Sequence, residues 1–410
     1  MAITTGKKPH ILAFPFPAQG HVIPLIKLSR LIATHGIKVT FVTTEHICEK
    51  LLSSMSDHDK GQDNIVLTSI PDGLPPQDDR CDAFKVFESL KNTAGGYLTN
   101  LIEKINESNS DEKISCVIAD VTIGWVLENV EKLGVEGVAF APASVATLAM
   151  TLHIPKLIEE GRIDENGTLT GIEIINLSDN LPPWIKDEVT WCFPLDLNLQ
   201  KIFFECSLIT QKAAYRAKWL LCNTFYELES SACDLIPNLL PIGPLLKTNI
   251  NSKFSSNSSS LCREDTTCLS WLDRQPASSV IYVAFGSYAV FSQHQLDELA
   301  LGLELSGRPF LWVVRHDLAN RSRVEFPDGF LERVGCSGIG KIVEWAPQEK
   351  VLCHRSIGCF LSHCGWNSTV EGLSKGVPFL CWPYCMDQLH NQKYICDKWR
   401  IGLRIDPDGN

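Results

Sequence analysis

The strongest constraint on the fold of this chain is a rhythm, in which short β-rich apolar runs alternate with stretches of helical spacing. His10 to Phe14 (HILAF) is such a run, Pro15 to His21 is a Pro/Gly turn, and Val22 to Ile32 carries apolar residues at helical spacing before Gly36. Lys38 to Thr43 (KVTFVT) then reads as a second strand. The chain therefore opens with a βαβ unit, whose crossover is expected to be right-handed. Ile65 to Ser69, Ile114 to Ala119 and Gly137 to Phe140 are further strand candidates with helical stretches between them. This pattern predicts an α/β fold with a mostly parallel, doubly wound sheet, its ligands at the carboxyl ends of the strands. From Leu240 to Ser260 the chain passes through Pro-Ile-Gly-Pro into an Asn/Ser tract, a linker composition. The rhythm then restarts with Val280 to Phe285, a helix from Gln293 to Ser306, Phe310 to Val314, Lys341 to Glu344, Cys359 to Ser362, a helix from Asn367, and Phe379 to Trp382. Two Rossmann-like domains facing each other across a cleft are expected, residues 1–245 and 263–410, with a linker or mobile loop at 246–262.

The 410 residues suffice for two such cores, and 37 basic against 48 acidic residues leave a net charge of −11. Such a field repels phosphate backbones and anionic lipid, so nucleic-acid binding is not expected. The 16 cysteines are scattered without a C-x-x-C pair, and Met1 to Lys8 lacks the apolar core of a secretory signal. Reduced thiols, a cytoplasmic location and unmodified sequons at Asn166 and Asn257 follow as expectations. The nearest approach to a membrane span, Val138 to Leu152, is too short and contains Pro142 and Ser144. A monomer is expected.

Gly335-Cys-Ser-Gly-Ile-Gly-Lys341 nearly spells a P-loop, but Ile342 replaces the magnesium-binding Ser/Thr and a strand pattern follows where a helix is needed. No G-x-G-x-x-G follows the first strand, which argues against a dinucleotide oxidoreductase. His354 beside Cys353, His363 beside Cys364, and Cys381 with Cys385 lack metal-site spacing, so no metal is expected.

The densest signal runs from Trp345 to Gln388. Within it, Ser362-His-Cys-Gly-Trp-Asn-Ser-Thr369 stands where a strand gives way to a helix. Gly365 permits close backbone approach while helix N-terminal N–H groups face an anion, a geometry suited to a diphosphate. Asn367 or Ser368 could instead be an ordinary N-cap, and His363 a satisfied loop histidine. Glu371, one helical turn past Asn367, could accept from ribose hydroxyls, and Asp387-Gln388, read as a strand end, offers partners for sugar hydroxyls.

This segment resembles the signature box of plant family 1 UDP-dependent glycosyltransferases of small secondary metabolites, and from Trp345 to Gln388 it has the box's 44 positions. PFPAQGHVIP at 15–24, Asp120 and FGS at 285–287 resemble the same family. The resemblance implies a GT-B fold and an inverting hexosyltransferase. It implies that Trp345 stacks on uracil while the Ala346 backbone and Gln348 read the base edge and ribose, and that Glu371 holds the ribose hydroxyls. Ser287, His363, Gly365, Asn367 and Ser368 would surround the diphosphate, and Trp366, Asp387 and Gln388 would contact the sugar. Gln at the last box position goes with UDP-glucose in the family, and His more often with UDP-galactose.

An acceptor hydroxyl must lose its proton as it attacks the anomeric carbon, and imidazole is the side chain matched to neutral pH. His21, read as lying in the loop after the first strand and matching the family's catalytic histidine, is the expected base. Asp120, at the end of a strand, can reach the same rim and orient the imidazole. His363 and the N–H donors would stand in for a divalent cation as UDP leaves.

The sequence departs from the family at Cys385, where an aromatic or small apolar residue is usual, and at Ala141-Pro142, near a Ser/Thr that touches the sugar in relatives. It ends at Asn410, where relatives continue through further helices; a shortened chain could bind UDP-sugar without turnover, the alternative to an active enzyme. Flavonoid, phenolic and terpenoid acceptors, and O- as well as C-linkage, stay open. Trp184, Trp191, Phe193, Phe203 and Phe204 read as core or lid packing ahead of an acceptor pocket.

Overall fold

The structure is a computed structural model describing residues 9–54, 64–80, 82–108, 112–171, 174–193, 196–246, 260–316, 318 and 324–405. Most of the expected linker, 247–259 with its Asn257 sequon, lies outside the described residues, as do Met1 to Lys8 and the last five positions. The chain divides into two compact units, Met1–Leu261 and Cys262–Asn410.

In the first unit the strands are β1 His10–Phe14, β2 Lys38–Thr44, β3 Ile65–Ile70, β4 Ile114–Asp120, β5 Glu136–Ala141, β6 Ile174–Ile175, β7 Trp184–Ile185, β8 Trp219–Cys222 and β9 Leu239–Pro241. Among the described residues, β6 and β7 form a small antiparallel pair, and the others build one parallel sheet in the order β3-β2-β1-β4-β5-β8-β9. Strands covered on both faces have no polar side to alternate, so β2 is buried at six successive positions, Val39 to Thr44. Val22, Leu25, Phe41, Ile118 and Phe140 join the first helix to this sheet in one apolar cluster. Strands β8 and β9 carried no readable signal because four and three residues are too few to show a period. Trp184, Trp191 and Phe204 are core side chains, while Phe193 and Phe203 are half-buried and stack with centroids 4.7 Å apart.

The first helix spans Gln19–Thr34, three residues earlier than its apolar spacing suggests. The extended Ala18 caps it, its carbonyl accepting from the N–H groups of His21 and Val22 at 2.9 Å each. His21 therefore stands in the first turn of a helix and not in a loop. Gln19 and Gly20 are helical without apolar side chains, so the hydrophobic pattern starts late.

In the second unit β10 Val280–Ala284, β11 Phe310–Val313, β12 Gly340–Val343, β13 Ile357–Ser362, β14 Phe379–Cys381 and β15 Gly402–Arg404 form a parallel sheet in the order β12-β11-β10-β13-β14-β15. The first six strands of the larger sheet follow the same order. Both sheets reverse direction of growth beside their first strand, between β1 and β4 and between β10 and β13, the places where doubly wound sheets bind ligands. The P-loop-like glycines belong to a helix, its end and the strand after it instead. Gly335 lies inside the helix Phe330–Ser337, Gly338 ends it at φ +67°, and a methyl on Gly340 would meet Val334 at 2.1 Å.

Candidate active site

Each switch point carries its own set of polar side chains. In the first unit, β1 leads through Pro15–Ala18 to His21, and neighbouring β4 ends on Asp120. His21 Nδ1 and Asp120 Oδ2 are 2.7 Å apart although the residues are 99 positions apart in sequence. A carboxylate only accepts, so Nδ1–H donates to it and Nε2 is left as the basic nitrogen. Asp120 is fully buried, and its other oxygen accepts from the Thr122 N–H at 2.8 Å, capping the short 3-10 turn Val121–Ile123. The carboxylate is thereby fixed before it meets the ring. His21 keeps 27% of its side chain exposed, and the edge of Phe16 packs against it with centroids 5.3 Å apart. Phe16, Phe87 and Trp125 continue as edge-to-face pairs from there.

In the second unit the box residues gather around β10 and β13. Cys364 takes φ +64°, and Gly365 is the N-cap of the helix Trp366–Ser374. Neither Asn367 nor Ser368 is the cap, and a glycine cap offers no side-chain oxygen, so the helix start has no side-chain cap hydrogen bond, an arrangement suited to an anion. His363 lies between Gly286 and Gly365, where a methyl on either glycine would come within 2.5 Å of Nε2. Burial pushes the His363 pKa down to about 4, with the Arg315 guanidinium adding to the effect, so the imidazole is neutral at pH 7 and acts as a dipole.

Ser287 is exposed on the loop after β10. That loop is pinned by Arg315, whose guanidinium donates to the carbonyls of Gly286 at 2.7 Å and Ala289 at 3.1 Å. Trp345 is half-buried beyond β12, its carbonyl accepting from the Asp265 N–H, and Ala346 is buried. Gln348 opens the helix Gln348–Leu352, and its Nε2 donates to Ser368 Oγ at 2.9 Å and Glu371 Oε2 at 2.8 Å. Trp366 is 4% exposed with its ring against Trp399.

Asp387 and Gln388 do not end a strand. β14 stops at Cys381, and the two residues open the helix Asp387–Lys393 after a loop whose last residue, Met386, takes φ +58°. Gln388 holds that loop, its Oε1 accepting from the N–H groups of Tyr384 at 2.8 Å and Cys385 at 3.2 Å. Asn391, 1% exposed, donates to Asp387 Oδ2 at 2.8 Å and the Cys364 carbonyl at 2.9 Å, tying this helix to the turn that opens the helix Trp366–Ser374. Neither Asn391 nor Arg315 was legible in advance, since a lone amide or guanidinium in a helical or loop stretch reads as surface. His354 pairs with Asp273 at 3.2 Å, and among the described residues no three His, Cys, Asp or Glu side chains gather as a metal site. No described helix is long and apolar enough to cross a membrane.

An imidazole against a buried carboxylate at one switch point, and a carboxylate, amides and a helix N-terminus without a side-chain cap at the other, put polar chemistry where doubly wound sheets bind ligands. The chain belongs to the UDP-glucoronosyl and UDP-glucosyl transferase family, whose model matches residues 22–405. It is 42% identical to UDP-glycosyltransferase 83A1 of Arabidopsis thaliana over 98% of this chain and 85% of that protein. It is 35% identical to the 7-deoxyloganetin glucosyltransferase of Catharanthus roseus, covering 98% of this chain and 86% of that one. Among solved structures, Phytolacca americana UGT2 complexed with UDP-2fluoro-glucose and pterostilbene matches with a TM-score of 0.75 and 26% identity, covering 99% and 87%. The protein is thus a UDP-sugar-dependent glycosyltransferase with the two-sheet GT-B architecture of the plant enzymes.

Proposed function

We propose that this enzyme transfers glucose from UDP-glucose, with inversion, to a hydroxyl of a small lipophilic acceptor, using His21 as base, Asp120 as its orienter and no metal. The observation that carries the reading is the 2.7 Å contact between His21 Nδ1 and the buried Asp120 carboxylate. It leaves Nε2 as the nitrogen that takes the acceptor's proton, and Asp120 stabilises the imidazolium that results. As the proton leaves, the acceptor oxygen forms a bond to the anomeric carbon and the bond from that carbon to the β-phosphate oxygen of UDP breaks. An α-linked donor thus gives a β-glucoside. The charge developing on UDP falls to the first-turn N–H groups of the helix Trp366–Ser374 and to His363. Trp345, Ala346, Gln348 and Glu371 hold the uridine; Asp387 and Gln388 hold the glucose.

Support for the donor comes from Gln388 at the end of the box and from relatives whose names specify glucosyl transfer; support for an apolar acceptor comes from the ring of Phe16, which packs against His21. The test offers UDP-glucose and a panel of flavonoid, phenolic and terpenoid acceptors, with mass spectrometry of the products. A gain of one hexosyl group is expected, and His21→Ala should reduce transfer by about 10²- to 10⁴-fold at nearly unchanged UDP affinity. Transfer that survives the substitution would remove His21 from the mechanism. UDP binding without any transfer would leave a nucleotide-sugar binding protein.

A further inference from the structure

The carboxamide of Gln348 sits at the centre of a hydrogen-bonded chain that begins on the sheet. Its Nε2 serves Ser368 and Glu371, as described above, while its Oε1 accepts from the Tyr282 hydroxyl at 3.1 Å. Tyr282 belongs to β10, is 1% exposed, and stacks on Phe360 of β13 with centroids 5.0 Å apart and planes at 27°. Its hydroxyl is thereby fixed relative to the two strands that flank the switch point. A carboxylate only accepts, so the NH₂ end of Gln348 faces Glu371, and the carbonyl end is turned inward toward a donor. Tyr282 is that donor. Without it the carbonyl would be part-buried and unpaired, and the favoured relief would be rotation of Gln348 away from Ser368 and Glu371.

We propose that Tyr282 is a positioning residue of the donor site, acting through Gln348 to hold the side chains that meet the nucleotide. This rests on the reading that the box binds UDP through Gln348 and Glu371. Sequence gives no hint of it, because a tyrosine inside an apolar strand reads as core.

The test is a double-mutant cycle on UDP affinity, measured by calorimetry on the full chain with Tyr282→Phe, Gln348→Ala and the pair, alongside Glu371→Ala. Tyr282→Phe should weaken UDP binding about five- to tenfold in the parent and leave it unchanged in the Gln348→Ala background. It should also narrow the preference for UDP over 2′-deoxy-UDP, which a loss of packing alone would not do. An equal loss in both backgrounds, no loss in the parent, or a Tyr282→Phe chain that fails to fold would each overturn the proposal. If Gln348→Ala and Glu371→Ala both leave UDP binding unchanged, the donor-site reading itself fails, and the proposal with it.

Discussion

Glu229 invites a perturbation whose size can be worked from its surroundings. Its carboxylate is 3% exposed and accepts from the Thr224 hydroxyl at 2.7 Å and from the N–H groups of Ala146 at 3.1 Å and Val145 at 3.2 Å. Those amides open the helix Val145–Leu152, beyond β5, whose Phe140 is in register with Asp120. Burial pushes the Glu229 pKa up to about 7 from 4.5, against the opposing pull of these three hydrogen bonds. A group whose folded pKa is raised stabilises the fold fully below its unfolded pKa and loses that contribution as the pH rises through the folded one. For Glu229 the contribution is complete below about 4.5 and gone above about 7, which amounts to roughly 2 to 3 kcal/mol between pH 5 and pH 8. Glu229→Gln cannot titrate. Relative to the parent it should therefore gain roughly 2 to 3 kcal/mol on going from pH 5 to pH 8, whatever its stability at either end. Urea titrations at both pH values, read through hydrogen exchange of the Val145 and Ala146 amides, report the unit concerned. Parallel pH profiles for parent and variant would refute the reasoning and return Glu229 to an ordinary carboxylate.

Two further outcomes follow from the donor site. Gly286→Ala would force a non-glycine residue into φ +67° and place its methyl 2.5 Å from His363 Nε2; a loss of UDP affinity of about tenfold or more is expected by calorimetry, together with a lower melting temperature. Glu371→Ala removes a charged acceptor and should raise the UDP dissociation constant by roughly 10- to 150-fold, corresponding to about 1.5 to 3 kcal/mol, with little effect on melting.

Much of the architecture was legible because it is locally encoded. β1 occupies the expected residues, and β2, β4, β10 and β13 lie within two residues of their apolar runs, since a strand buried on both faces must be apolar throughout. The strand-to-helix turn at Gly365 was legible because Gly365 and the helix after it are contiguous. Helix starts were less legible: His21 and Asp387 stand in first turns, where a side chain can face outward without disturbing the apolar period.

What the sequence by itself determined, then, was the order of strands and helices and the short segments where chain and ligand chemistry coincide. The tertiary structure alone decided which distant residues touch. His21 meets Asp120 across 99 positions, Tyr282 meets Gln348 across 66, and Gln348 meets Glu371 across 23. The crossovers that lay β4 beside β1 and β13 beside β10 leave no periodic trace in the chain, because adjacency in a parallel sheet is a property of the winding and not of any one strand. The same holds for Glu229 and Arg315. Their burial depends on backbone groups supplied by other segments, which turn a charged side chain from a surface residue into part of the core.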